Sequence, residues 1–209
     1  MKRQNMINTA LNMYHNNFLH SNVVRAYNSI KPLPSGYRLK DTDAWCAAFA
    51  SVVAWTASGG SSDFPYECSC ARMIEKAKKM KIWIEDESMI PAPGWLCLYD
   101  WQDDGSGDCE GFPDHVGIIT KVNDKTFEVI EGNYSNAIGR RLMKFNGRFI
   151  RGFIAPRYEQ ETETRKTDEE IAREVIKGLW STGATRKRKL EEAGYEYKAI
   201  QKIVNNLMK

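Results

Sequence analysis

Histidine is scarce in this chain: there are three in 209 residues, His15, His20 and His115. A reaction that needs an imidazole base therefore has few candidates. No apolar run approaches the roughly 18 residues needed to cross a membrane. The opening "MKRQNMINTALNMYHNNFLH" carries basic residues, but Asn and His interrupt any apolar stretch. It does not read as a secretory signal. The expectation is a protein made in the cytoplasm that needs some other route out if it works outside. Cysteine comes in an odd number, five, at 46, 68, 70, 97 and 109. Without a secretory signal, that count argues against a disulfide scaffold and leaves at least one thiol free. No internal repeat is present. Strong charge of one sign is absent too. The net charge is +3 and the pI about 8.5, which is compatible with a polyanionic target without demanding one.

What is there suits a globular protein of one large domain, or one medium domain and a small one: 42% hydrophobic and 27% charged residues. Ile7, Ala10, Leu11 and Tyr14 recur at helical spacing and predict a first amphipathic helix. "KPLPSGYRLKDTD" reads as a loop. Ala44 to Ala57 is apolar enough for a buried helix, with Thr42 or Asp43 as cap and Gly59 as stop. "CARMIEKAKKM" predicts a third helix. After "IPAPG" the texture changes to short β-branched and aromatic runs, "WLCLYD", "HVGIITKV", "TFEVIEG" and "RFIRGFIA". These predict an antiparallel sheet, with "KVNDKTFEV" as a hairpin. Helices followed by strands indicate an α+β domain over residues 1–157.

Residues 158–167 are polar and read as a linker. From 168 to 209 the pattern turns helical again. Thr167 and Glu170 form a capping box, and Ile171, Val175, Ile176 and Leu179 form an apolar stripe. A second helix runs from about Thr185 to Ala193 and stops at Gly194. A third carries Ile200, Val204 and Leu207. Such a three-helix module of about 40 residues lies near the lower size limit for independent folding.

The chemistry centres on "DAWCAAFASVVAWTASGG". A cysteine at the first turn of a helix sits where unpaired N–H groups and the helix dipole favour a thiolate. Taken alone, a cysteine in an apolar helix is more often a small buried hydrophobe. His15 and His20 lie in a polar segment, whereas His115 opens a strand beside a loop and can face a cleft. A third group should orient the imidazole. Glu131 and His115 lie eight residues either side of Asn123, so a hairpin turning at Asn123 would place them side by side. Asn133 follows two residues on.

Other residues compete for roles. Cys68, Cys70, Cys109 and His115 could form a zinc site, but one C-x-C without a second pair is a weak signal. Asp100, Asp104 and Asp108 stand at offsets suggestive of a calcium loop. Gln102 replaces one carboxylate and no Glu occupies the twelfth position, so this stretch reads as a loop flanking the cleft and no cofactor is expected. Cys97 reads as core. Trp95 and Trp101 line a groove or pack half-buried.

"WCAAF", "PAPG" before a strand, "DHVGIITKV" and "IEGN" together resemble the CHAP family of peptidoglycan amidases and endopeptidases, among the papain-like and NlpC-type thiol hydrolases. The resemblance spans about 115 residues and implies a papain-like fold. It implies Cys46 as nucleophile, His115 as general base and then acid, Glu131 as orienting group and Asn133 as an assistant. The bond attacked would be the N-acetylmuramoyl-L-alanine amide, or alternatively a peptide bond in the stem or cross-bridge. A degenerate, non-catalytic wall-binding protein is the bland alternative.

The tail, through "EVIKGLW", Gly183, Arg186, Leu190, "AGY" and Tyr197, resembles the CW-seven cell-wall-binding repeat of phage lysins, which implies binding to the muropeptide unit. Trp180 and Arg186 are the candidate contacts by that resemblance, with Trp180 equally readable as a core anchor. "RKRK", Arg186 to Lys189, is followed at once by Glu191 and Glu192, so a solvated face is expected rather than nucleic-acid binding. Together the two resemblances suggest a phage-type endolysin, with bacterial peptidoglycan as partner and no membrane insertion. It would wait in the host cytoplasm until the membrane is permeabilised.

Overall fold

The computed structural model describes residues 1–60, 63–105, 110–159 and 166–208. The chain divides into two compact units, Met1–Gln160 and Glu161–Lys209.

The first unit is α+β. Among its described residues four α-helices, α1 (Arg3–His15), α2 (His20–Ser29), α3 (Cys46–Ser58) and α4 (Cys70–Lys79), precede six strands. The strands are β1 (Trp83–Ile84), β2 (Leu96–Tyr99), β3 (His115–Val122), β4 (Thr126–Tyr134), β5 (Ala137–Lys144) and β6 (Ile150–Ile154). They form one antiparallel sheet in the order β1-β6-β2-β3-β4-β5.

Helix α3 is central, with every residue from Cys46 to Ala54 buried. Its alanines at 47, 48, 50 and 54 let it approach α1, α2, β3 and β4 together. The contact with β4 is tight at Gly132, where a Cβ would come within 2.4 Å of the Phe49 Cβ and 2.8 Å of the Trp45 ring. Only glycine fits there, and it draws the start of α3 onto the edge of the hairpin. The opposite face of the sheet buries Cys97, Tyr99, Ile119, Phe127, Val129, Ile150 and Phe153 in a core of its own, so Cys97 is core as expected.

One expectation about local structure needs correction. The N-cap of α3 is Trp45, with no side-chain cap bond, although Gly59 does end the helix in a left-handed conformation. Asp43 instead accepts from the Lys40 N–H at 2.8 Å and the Tyr37 hydroxyl at 2.9 Å, which commits it to its own loop. The polar segment holding His15 and His20 is also helical, since His15 ends α1 and His20 opens α2. The buried face of α2 is only Val23, Val24 and Tyr27, too sparse to stand out among Asn and Ser.

Among its described residues the second unit has three helices, α5 (Asp168–Ile176), α6 (Gly183–Glu192) and α7 (Tyr197–Leu207). The capping box forms: the Thr167 N–H donates to Glu170 Oε2 at 2.8 Å, and the Glu170 N–H donates to Thr167 Oγ1 at 3.3 Å. Ile171, Ala172, Val175, Leu190, Tyr195, Ile200 and Val204 make the core. The expected stripe is narrower than drawn, because Ile176 and Leu179 are exposed. Helix α5 stops at Ile176 and the chain turns at Gly178, which carries Leu179 off the buried face. Leu207, in the last turn of α7, is exposed as well.

Candidate active site

Cys46 is the first residue of α3 and His115 the first of β3. The imidazole hydrogen-bonds both the Cys46 sulfur and Glu131. Its Nε2 lies 3.2 Å from Glu131 Oε2. The three residues singled out from sequence therefore meet, and all three are buried.

The register that brings them together differs from the expected one. The turn is closed by the Asn123 N–H donating to the Thr126 carbonyl at 2.8 Å, so it centres on Asp124 and Lys125. The β3–β4 pairing also slips between Ile119 and Lys121. Gly117, not His115, consequently stands opposite Glu131. Contact with His115 is diagonal, two residues along the strand. Gly117 permits it: a Cβ there would lie 2.6 Å from the Glu131 Cγ and 2.4 Å from Val129 Cγ1. The glycine in "HVG" was the signal for this arrangement.

Electrostatics follow from the contacts. The Cys70 sulfur lies 3.8 Å from the Cys46 sulfur. The hydrogen bond from Cys70, together with those from His115 and the Val116 backbone, holds the Cys46 thiol well below its ordinary value against the opposing effect of burial. Burial also opposes charging of His115, yet its hydrogen bonds to Cys46 and Glu131 raise it to about 9. Glu131 is held below the usual carboxylate range: burial works against ionisation, and His115 and Arg141 outweigh it. The lowered thiol and the raised imidazole both favour a thiolate–imidazolium pair.

That state is lost from both sides. Above about 9 the imidazolium deprotonates and the acid for the leaving amine disappears. Below the lowered thiol value the nucleophile protonates. The profile of kcat/KM against pH on a soluble muropeptide is expected to be a bell whose descending limb falls near 9.

Two depressions flank the pair. On the His115 side a cavity of about 370 Å³ is lined by Trp101, Asn133, Tyr134, Ser135 and Arg141. On the Cys46 side a second, of about 320 Å³, is lined by Tyr37, Asp43, Cys70, Arg72 and Phe112 among others. Asn133, in a left-handed conformation at the break in the β4–β5 register, sits on the rim of the first. Trp101 packs flat on Tyr99 at 4.8 Å while keeping about a third of its surface open.

One residue of the site escaped sequence reading. Arg141, from the unforeseen strand β5, donates from Nε to Glu131 Oε1 at 2.8 Å and from Nη2 to Oε2 at 3.0 Å.

Among the described residues no cluster of His, Cys, Asp and Glu could hold a metal ion. Cys68 hydrogen-bonds Tyr27 while Cys70 turns to Cys46, so the C-x-C pair diverges. Asp100 accepts from the Gln102 N–H at 2.9 Å. Cys109 and Asp108, the remaining members of the zinc and calcium readings, fall outside the described residues.

In the second unit, Trp180 is half-buried against the helical core, with its ring edge-on to Tyr195. Its indole N–H donates to Glu174 at 2.9 Å. Arg186 Nε donates to the Ser181 carbonyl at 3.0 Å, and its Nη1 lies 3.5 Å from Gln201 Oε1. Lys187 and Arg188 stand one turn before Glu191 and Glu192, at 4.0 and 3.8 Å.

Comparison with known families agrees with this division. A family model for the CHAP domain matches residues 38–133, and one for the CW_7 repeat matches residues 169–208. No curated protein matches the chain. The chain thus carries a CHAP domain, which marks a peptidoglycan hydrolase of amidase or endopeptidase type, followed by a cell-wall-binding repeat of the CW_7 kind.

Proposed function

We propose that the chain is a phage-type endolysin that cleaves the N-acetylmuramoyl-L-alanine amide by a Cys46–His115–Glu131 triad. The observation that carries the reading is His115 held between the Cys46 sulfur and the Glu131 carboxylate, at the junction of two depressions. The Cys46 thiolate attacks the lactyl carbonyl. The developing oxyanion is held by backbone N–H groups in the first turn of α3, which no side chain caps. His115 passes its proton to the departing alanine amine, then takes one from the water that releases the acyl group. Glu131 keeps Nε2 engaged, so Nδ1 carries the proton toward the sulfur and the leaving group. Asn133 assists from the rim.

The two depressions differ in a way that favours a sugar on one side of the bond and a peptide on the other. The His115 side offers the partly open rings of Trp101 and Tyr134 with Asn133 and Ser135, a surface suited to stacking on a pyranose and bonding its hydroxyls. The Cys46 side offers Arg72, suited to a carboxylate of the stem. A peptide bond inside the stem or cross-bridge is the second reading. In the second unit the repeat would hold the enzyme on the wall through Trp180 and Arg186. Cys46, Cys68, Cys70 and Cys97 are free thiols, which fits storage in a reducing cytoplasm before the membrane is permeabilised.

Mass spectrometry of fragments released from defined peptidoglycan tests the bond. An amidase yields stem peptides with a free L-alanine N-terminus and intact, peptide-free glycan strands. New N-termini elsewhere in the stem or bridge, with alanine still on the sugar, would overturn the amidase reading.

A further inference from the structure

We propose that Arg141 is a positioning residue of this site, locking the Glu131 carboxylate in the rotamer that faces His115 and setting the pH window in which the thiol and imidazole work. The proposal rests on the thiol-hydrolase reading of Cys46 and His115. Arg141 lies on β5, beyond the residues 38–133 that the CHAP model matches, so that match says nothing of it.

The geometry is specific. Glu131 is fully buried on β4, between β3 and the edge strand β5. The residues directly opposite it on the two neighbouring strands are both glycines, Gly117 on β3 and Gly139 on β5. With no side chain at either place, the carboxylate is reached diagonally from both sides, by His115 and by Arg141. Oε1 accepts from Arg141 Nε, while Oε2 accepts from Nη2 and also faces His115 Nε2 at 3.2 Å. A two-point fork of this kind fixes the plane of a carboxylate as a single bond cannot. The guanidinium is fixed in turn by three rings, Tyr134 at 4.8 Å, Trp101 at 5.1 Å and Tyr99 at 5.7 Å from its carbon. Tyr134 reaches it by folding over Gly139, where a Cβ would lie 2.5 Å from the ring.

The arginine also balances charge. A carboxylate this deep needs a permanent cation to stay ionised throughout the cycle, because His115 must surrender its proton to the leaving group. It further tempers the pull of Glu131 on that proton. Among the described residues, the other titratable groups around the site are Cys70 from α4, Cys97 and Tyr99 from β2, Tyr134 at the end of β4, and Asp114 just before β3. Burial pushes up Cys97 and Tyr99, and the hydrogen bond to Cys46 with burial pushes up Cys70. These three therefore stay neutral across the working range, and Arg141 is the permanent cation in contact with Glu131.

The test uses the full chain with Arg141→Met and Arg141→Lys, each checked for fold by circular dichroism. Two profiles against pH are read: iodoacetamide alkylation of Cys46, followed by peptide mass, and kcat/KM on a muropeptide. Arg141→Met removes the positive charge paired with Glu131, and the loss of a nearby cation favours the protonated forms of the thiol and the imidazole. Both limbs are therefore expected to move to higher pH, with kcat about 10- to 100-fold lower and KM little changed, as for other supporting residues behind a site. Arg141→Lys is expected to return the limbs toward wild type while kcat stays reduced, since lysine restores the charge but not the fork. Unmoved limbs in a folded Arg141→Met protein, with only the amplitude lowered, would overturn the proposal. So would full kcat in Arg141→Lys. The alkylation profile needs no turnover. A wild-type protein that fails to cut wall but shows the Arg141-dependent shift would sink the hydrolase reading and leave the role of Arg141 standing.

Discussion

Cys46→Ala is expected to slow the clearing of a purified wall suspension by at least about 1,000-fold, with the fold intact. The size of the effect follows from the division of labour. Without the sulfur no covalent intermediate forms, and binding and backbone N–H groups alone retain only a small part of the acceleration in triads of this kind. The fold should survive because alanine is the best helix former and α3 already carries alanine at 47, 48, 50 and 54. What is lost structurally is the contact with Cys70 at 3.8 Å and the volume of one sulfur, on the order of 1 kcal/mol. Turbidity loss and thermal unfolding, measured side by side, separate the two effects. Undiminished lysis by Cys46→Ala, abolished instead by a chelator, would replace the thiol mechanism with a metal-dependent one.

Glu131→Gln is the second large effect. The substitution keeps the shape and removes the charge. His115 loses one of the two hydrogen bonds that raise it to about 9, so the imidazolium becomes scarcer at neutral pH. The amide also meets Arg141 with one oxygen where the fork found two. Loss of kcat by about 100- to 10,000-fold is expected, by analogy with carboxylate-to-amide changes in the serine triad. The descending limb of the pH profile should move down from about 9. Arg141 is left beside a neutral group, and the protein is expected to lose about 1–3 kcal/mol of stability, less than for a fully buried cation because the arginine is partly open to water. Retention of full kcat in a folded Glu131→Gln protein would remove Glu131 from the triad and leave Asn133, on the rim of the same cavity, as the group to test.

How much of this could be read from residues alone differs from element to element. Helix α3 was legible because its composition is extreme, and β3 and β4 because β-branched and aromatic residues end in turn residues. The meeting of His115 and Glu131 was legible for a coarse reason: any hairpin near Asn123 brings the two strand ends together. The register was not, because a turn shifted by about a residue and one irregularity at Thr120 decide which residue faces which. Arg141 was hidden for a different reason. Strand β5 is an edge strand, "AIGRRLMK", with only Gly139 fully buried, so it carries little of the apolar alternation that announces a strand. Its arginine is paired with a carboxylate ten residues earlier across a turn at Ser135 and Asn136. In the tail the capping box was visible as a local rule, while Ile176 and Leu179 were placed on the inner face by a periodicity that ends where the helix does.

The glycines at 117 and 139 have one more consequence. Neither makes a bond of its own through a side chain. Each is a vacancy that a neighbour occupies, one filled by the stem of Glu131 and the other by the ring of Tyr134. A methyl group at either place would push aside the carboxylate or the aromatic lid over the guanidinium. Genetic drift is therefore confined at two positions that a search for reactive side chains would pass over, and any redesign of this sheet must leave both empty.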